Sequence, residues 1–451
     1  MRKLVLAAAV CCALLVGGAA SGAAGAAGGG AAHAAGVPGI SWGVADDAAK
    51  YSDDGGTWFY GSMAGANLTS NRWTLAWNPS NPTAITELPF LQRAAPKAQA
   101  AGIHIVLALY AGTNGSSFPD ARDHDPTAFC KWAGIVASTV KAWGIHDLIV
   151  WNEPNTALYW APQKDPGGHD IAAKPFEALL AACYDSIHAA DPQANVIGMG
   201  LSPRASRPKT SNEPLTFLRD VGAAYRASGR TKPLMDQLAL HPYPYPAKTG
   251  SPGTSYPKPA DYGPPDLARV KQAVYDAFHG TGQPTTMNGL TFRLDEYGWQ
   301  TDTSRYPQYT GAENGRPPGL PNPVDEQTQA AYLRTSVTKY LACDPTVTDV
   351  ELFLLVDEKD RRGWQSGLLT AGGPGVSTPK LAYGQLGPLF AKGRAACTAS
   401  LVSWTPGSKG AAAAKKTGKH GQVKVCLKKQ KNGKKHCRPV GKRGTQNGKK
   451  K

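Results

Sequence analysis

The sequence has no C-x-x-C pair, and its ten histidines are scattered, so the ligand spacings of a metal site are missing. No Gly-rich phosphate loop follows the first apolar run either. "ISWGVADDAAK" (residues 40–50) has nothing to hold a pyrophosphate, which argues against a dinucleotide enzyme. Neither a metal nor another cofactor is therefore expected. Long apolar runs are also scarce. The longest, "LVLAAAVCCALLV" (4–16), is shorter than the roughly 20 residues a spanning helix needs, and no later segment comes close. Acidic residues are missing from Pro406 to Lys451, a stretch that carries 16 Lys/Arg.

The ends follow from these gaps. Arg2 and Lys3, the apolar run and the Ala/Gly tract after it have the pattern of a secretory leader over residues 1–35, and an uncleaved anchor is the alternative. Export suits the cysteines. Cys11 and Cys12 leave with the leader, and the remaining six fall into local pairs: Cys130 with Cys183, Cys343 with Cys397, and Cys426 with Cys437 around Asn432-Gly433. A secreted protein is expected, with no membrane span once the leader is removed.

The net charge of +16 lies wholly in the tail. Outside the tail, and without Arg2 and Lys3, 31 basic residues face 33 acidic ones. The tail, 404–451, opens with "GSKGAAAAKKTGKHG", which has too few apolar side chains to order itself, so it is expected to be largely disordered. It ends in a candidate disulfide-clipped hairpin. The tail is either a solubilising charge run or a patch drawn to anionic cell-envelope polymers. Nucleic acid is not an expected partner for an exported chain.

Between 36 and 403, β-rich runs alternate with amphipathic helical stretches. The eight strand candidates span 40–45, 72–77, 103–109, 147–152, 195–200, 236–242, 290–296 and 349–356. Such alternation over this length predicts a (β/α)8 TIM barrel, α/β in class, in preference to a doubly wound open sheet. The longest non-helical stretches, 243–265 and 300–323, follow strands six and seven. Both are rich in Pro, Gly and Tyr, and would wall a cleft at the barrel's C-terminal face.

Strands four and seven both close on a carboxylate, Glu153 in "LIVWNEPN" and Glu296 in "LTFRLDEYGWQ". In an eight-stranded barrel these ends face each other across the mouth. Glycosidic cleavage uses such a pair, one carboxylic acid to protonate the leaving oxygen and one carboxylate to meet the oxocarbenium-like centre.

"VWNEPN" (150–155) and "DEYGW" (295–299) resemble the acid/base and nucleophile signatures of clan A glycoside hydrolases, the retaining barrel enzymes, with families 5 and 39 the nearest. The resemblance runs in motif order over most of 40–390. It implies Glu153 as general acid/base, Glu296 as nucleophile and Asn152 on the sugar's 2-hydroxyl. Strict alternation would point Trp151 and Glu153 inward and Asn152 away, so the strand end must bend for Asn152 to serve. Arg72 in "NRWTLAW" matches the clan's strand-two arginine and would keep Glu296 ionised by proximity. "LALHPYPY" matches the His-x-Tyr of strand six. It gives Tyr243 as a donor to Glu296, and His241 as a partner of the acid or of a sugar hydroxyl, or else a core residue.

There are departures from the clan. "ALYAG" ends strand three with only Tyr110, and strand eight has no Trp, leaving Trp364 to supply a ring from the following loop. "GLLTAGGPGVSTPKLAYGQL" (367–386) is similar to the segment after strand eight in family 39-like proteins. Trp42, Trp77, Trp160, Trp299 and Trp364 are candidate stacking residues, with the core as the alternative place for several of them. The expected function is a secreted retaining glycoside hydrolase acting on a polysaccharide or oligosaccharide. A non-catalytic carbohydrate- or wall-binding protein on the same barrel is the alternative.

Overall fold

The computed structural model describes residues 38–111, 126–205, 210–246, 250–311, 322–408, 424–427 and 436–439. The leader expected over 1–35 lies outside them, as does most of the tail.

Eight parallel strands close into a barrel: Ser41–Ala45 (β1), Ser70–Trp77 (β2), His104–Ala111 (β3), Asp147–Val150 (β4), Asn195–Leu201 (β5), Gln237–Leu240 (β6), Thr291–Tyr297 (β7) and Val347–Leu352 (β8). Each pairs with the next in sequence, and β8 pairs back onto β1 through Trp42↔Val350 and its neighbours. All eight expected strands are present, with ends shifted by a few residues. Both faces of such a sheet are covered, so strands like "HIVLALYA" are apolar beyond their first residue, the exposed His104.

Helices pack outside. Ala48–Tyr51 (α1), Thr57–Gly65 (α2) and Leu88–Ala100 (α3) come first, then Pro126–Val140 (α4), Ala173–Ala190 (α5), Pro214–Ser228 (α6) and Leu267–Phe278 (α7). Glu326–Ser336 (α8) and Leu381–Phe390 (α9) complete the set. Their ends follow local chemistry. Pro89 and Pro214 lie in first turns, where the missing N–H costs nothing, and Gly229 closes α6 at φ 72°. The Asp325 carboxylate accepts from the Thr328 N–H to start α8.

Inside the barrel, Val106, Ala108, Ile149, Ile197 and Ala239 form a small core, with Tyr110 packed on it. Nearer the strand starts, the buried Arg293 is fixed by Asp147 (2.7 Å), Glu351 (2.5 Å) and Asp349 (3.2 Å). The barrel is thus floored by an ion cluster and filled by apolar side chains, leaving chemistry to its other end.

Two of the three expected disulfides are present, Cys130–Cys183 joining α4 to α5 and Cys343–Cys397 joining the turn after α8 to the segment after α9. Each closes a loop of 53 or 54 residues, worth about 4 kcal/mol by chain entropy. For the third, Lys424–Leu427 (β9) pairs antiparallel with His436–Pro439 (β10), and Cys426 stands opposite Cys437. The side chains of that pair lie outside the described residues. Among the described residues no helix is long and apolar enough to cross a membrane.

Candidate active site

The end of β4 is bent, as Asn152 requires. Ile149 faces the barrel interior, so alternation would send Trp151 inward too. Instead Trp151 takes φ 74° and Glu153 φ 42°, left-handed conformations costing roughly 1–2 kcal/mol each. The turn throws the Trp151 indole outward against Phe129 and Trp160, where its N–H donates to the Tyr159 carbonyl at 2.9 Å. The neighbouring strands still hold this backbone, through Trp151 N–H to Leu109 and Glu153 N–H to Gly200. Asn152 is thereby freed to meet Arg72, whose Nη2 donates to its Oδ1 at 3.0 Å. Strain held by packing in this way is common where a site is being shaped.

The end of β7 does something similar. Its pairing with β8 slips between Leu294 and Tyr297, and both Asp295 and Glu296 contact Arg72. The guanidinium pairs through Nε with Asp295 (3.1 Å) and through Nη1 with Glu296 (3.3 Å). His241, just past β6 and fully buried, joins the three carboxylates. Its Nδ1 lies 3.1 Å from Glu153 Oε1 and 3.6 Å from Glu296 Oε2, while Nε2 lies 3.3 Å from Asp295. Tyr243 donates its phenol to Glu296 at 3.1 Å.

Charges set the protonation pattern. Burial works against a charged His241, but Glu296, Asp295 and Glu153 outweigh it and push the imidazole up to about 10. Both ring nitrogens therefore carry a proton at neutral pH, Nδ1 bonded to Glu153 and Nε2 ion-paired with Asp295. Burial likewise raises the Asp295 carboxyl, yet His241 and Arg72 bring it below its ordinary range. Glu296 goes the other way. Arg72 and His241 lower it as expected from the sequence, but burial is larger and the net shift is upward. Two cations thus face three carboxylates, and the cluster is neutral when one carboxyl keeps a proton. Glu153 and Glu296 retain 17% and 13% side-chain exposure against none for Asp295, so the two glutamates are the ones a ligand can reach.

Seven of the eight candidate residues are brought to one place, six of them Glu153, Glu296, Asn152, Arg72, His241 and Tyr243. Trp364 joins them, half-buried, with its ring centroid 5.7 Å from Tyr243 and 4.7 Å from Phe353. The structure does not bring Trp299 to this group. It is 1% exposed, packed on Tyr297 and Tyr332, and its N–H donates to the Gly250 carbonyl, so its ring ties two loops together. Trp42, Trp77 and Trp160 are core as well, each 2% exposed. Sequence reasoning missed Asp295 and Phe353. The doubled carboxylate of "LDEY" and the aromatic closing "ELF" were their signals. Among the described residues no group of three His, Cys, Asp or Glu is arranged to hold a metal ion.

Comparison with solved structures agrees with the architecture. The chain is similar to a family 39 glycoside hydrolase from Bacteroides cellulosilyticus, with TM-score 0.52 and 18% identity over 78% of this chain and 63% of that one. It is similar to a glucosidase from Croceicoccus marinus, with TM-score 0.51 and 12% identity over 79% and 68%. It is also similar to a family 5 enzyme from Streptomyces cattleya solved with GlcNAc, with TM-score 0.51 and 14% identity over 79% and 80%. The chain spans under two thirds of the first of these. No protein-family model matches it, and no curated protein does. What it shares with these glycoside hydrolases of families 39 and 5 is the barrel fold.

Proposed function

We propose that this protein is a retaining glycoside hydrolase, with Glu296 as nucleophile and Glu153 as general acid/base. One observation carries the reading. Both glutamates lie against the same nitrogen of His241, so their nearest oxygens are separated by at most the sum of those two distances. That ceiling, under about 7 Å, takes in the ~5–5.5 Å of retaining pairs and lies below nearly all of the ~6.5–9.5 Å range of inverting ones. In the first step Glu296 Oε attacks the anomeric carbon while Glu153 gives its proton to the departing glycosidic oxygen. In the second, Glu153 takes a proton from water, which displaces Glu296 and restores both groups.

The neighbours divide the remaining work. Tyr243 and Arg72 hold Glu296 from two sides and spread the charge it carries before attack and regains when water displaces it. His241 orients both glutamates and supplies a fixed positive charge. Asn152 has its oxygen committed to Arg72, leaving the amide nitrogen to donate to a sugar hydroxyl. Trp364 offers the ring face on which a sugar stacks.

Two disulfides support an exported protein, and its 16-charge basic tail supports retention on an anionic envelope polymer. A panel of aryl glycosides and of plant and microbial polysaccharides tests the activity. Wild type should hydrolyse at least one; Glu296→Gln should lose most of the rate on every substrate, and Glu153→Gln most of it on those with poor leaving groups. Turnover that survives both changes rejects the assignment.

A further inference from the structure

Two aromatic groups flank the glutamates. Trp364 and Phe353 sit with Tyr243, whose phenol donates to Glu296, so that group belongs to the nucleophile's side. The other is Tyr110 with Tyr159, edge to face at 6.1 Å between centroids. Tyr110 ends β3 and rests on the interior core, which places it at the mouth. Tyr159 is six residues past Glu153, on a loop that folds back toward it.

That fold-back is built by hydrogen bonds. Thr156 N–H donates to the Glu153 carbonyl at 2.9 Å, Tyr159 and Trp160 N–H donate to Thr156, and the Trp151 indole holds the Tyr159 carbonyl. The outward throw of Trp151 therefore does two jobs, freeing Asn152 and pinning Tyr159. Both tyrosines remain half-buried, and Leu158 beside them is 56% exposed, leaving an apolar surface open next to the acid. Burial raises the Tyr159 phenol well above its ordinary range, and the Glu153 charge raises it further, so the phenol stays neutral.

We infer that Tyr159, braced by Tyr110, forms the leaving-group subsite and selects substrates whose leaving group is itself a sugar. This rests on the glycosidase reading above. A general acid must reach the glycosidic oxygen, and that oxygen's other substituent is the leaving group. The ring beside Glu153 is consequently the ring that group meets. A pyranose has an apolar C–H face that packs on an aromatic ring, whereas a small leaving group has none. Tyr159 is thus a specificity residue for glycosyl leaving groups, and the preferred substrate is an oligosaccharide or polysaccharide.

The test pairs two substrates of whichever sugar the screen identifies, one with a second sugar as leaving group and one the glycosyl fluoride. Fluoride is a single atom and cannot touch the subsite. With the full chain, Tyr159→Ala should lower kcat/KM for the glycosyl substrate about tenfold to a hundredfold, the worth of one buried ring face. For the fluoride the change should stay within about threefold, and Tyr159→Phe, which keeps the ring, should stay within about threefold on both. Equal losses on the two substrates, or no loss on either, overturn the inference while leaving the glycosidase reading intact. Wild type that turns over neither substrate overturns both together.

Discussion

Asp295 is predicted to be the keystone of the cation–carboxylate cluster, although it is fully buried and no ligand reaches it. Replacing it by Asn keeps its shape and removes its charge. Arg72 Nε and His241 Nε2, both buried, then lose ion partners at 3.1 and 3.3 Å. Breaking a buried pair costs about 3–5 kcal/mol, and the Asn oxygen can still accept one hydrogen bond, so Asp295→Asn should destabilise by about 2–4 kcal/mol. The pH dependence is more telling. The Asp295 carboxyl is depressed in the fold, so its contribution exists above the ordinary 3.8 and is lost as pH falls through its folded value. His241 is raised to about 10, so its contribution is complete below 6.5 and is lost as pH rises from there through about 10. The gap between wild type and mutant should therefore be widest from about pH 4 to 6.5 and narrow on both sides. Urea unfolding followed by tryptophan fluorescence at a series of pH values measures it. A gap below about 1 kcal/mol at pH 6, or one that is the same at pH 6 and pH 10, refutes the reasoning.

Other outcomes follow from the same geometry. Tyr243→Phe removes a hydrogen bond to a charged carboxylate, so kcat/KM should fall about 10–100-fold. Its acidic limb should move to higher pH, because Glu296 then ionises less readily; an unmoved limb tells against the contact. Glu153→Ala should lose least on substrates with good leaving groups, which need little proton assistance, and a uniform loss across leaving groups argues against Glu153 as the acid. Truncation after Trp404 should leave kcat on a small soluble substrate unchanged and abolish salt-sensitive retention on acidic polysaccharide, since screening shortens to about 8 Å near physiological ionic strength. Equal retention of both forms across a salt series would make the tail a solubilising run.

The barrel was readable from the residues because each strand is a short aliphatic run and each helix repeats apolar positions at three and four residues. That Glu153 and Glu296 come together was readable because both close apolar strands whose ends face each other across the mouth, although either alone would read as a rim residue. Asp295 was not. Period-two alternation puts it opposite Glu296, and only the register slip between Leu294 and Tyr297 lets both reach Arg72. Trp151 and Asn152 posed the same problem at β4. There the need for a bend was legible, but the positive φ that supplies it was not. Tryptophans misled because composition does not report burial, and four of the five candidates became packing. Tyr159 lay beyond any periodic signal, on a loop whose path is set by backbone turns after Glu153 and by one indole hydrogen bond.

Covalent capture tests the double displacement most directly. The full chain is incubated with a 2-deoxy-2-fluoro glycoside of the sugar it hydrolyses, carrying a good leaving group. The fluorine slows both steps by destabilising the oxocarbenium-like transition states, and the activated leaving group keeps the first step fast enough for the intermediate to accumulate. Digestion and mass spectrometry then locate the adduct. One glycosyl group on the peptide carrying Glu296, absent from Glu296→Gln, is the predicted result. An adduct on a different carboxylate, or hydrolysis that leaves no adduct and releases the inverted anomer first, would contradict it.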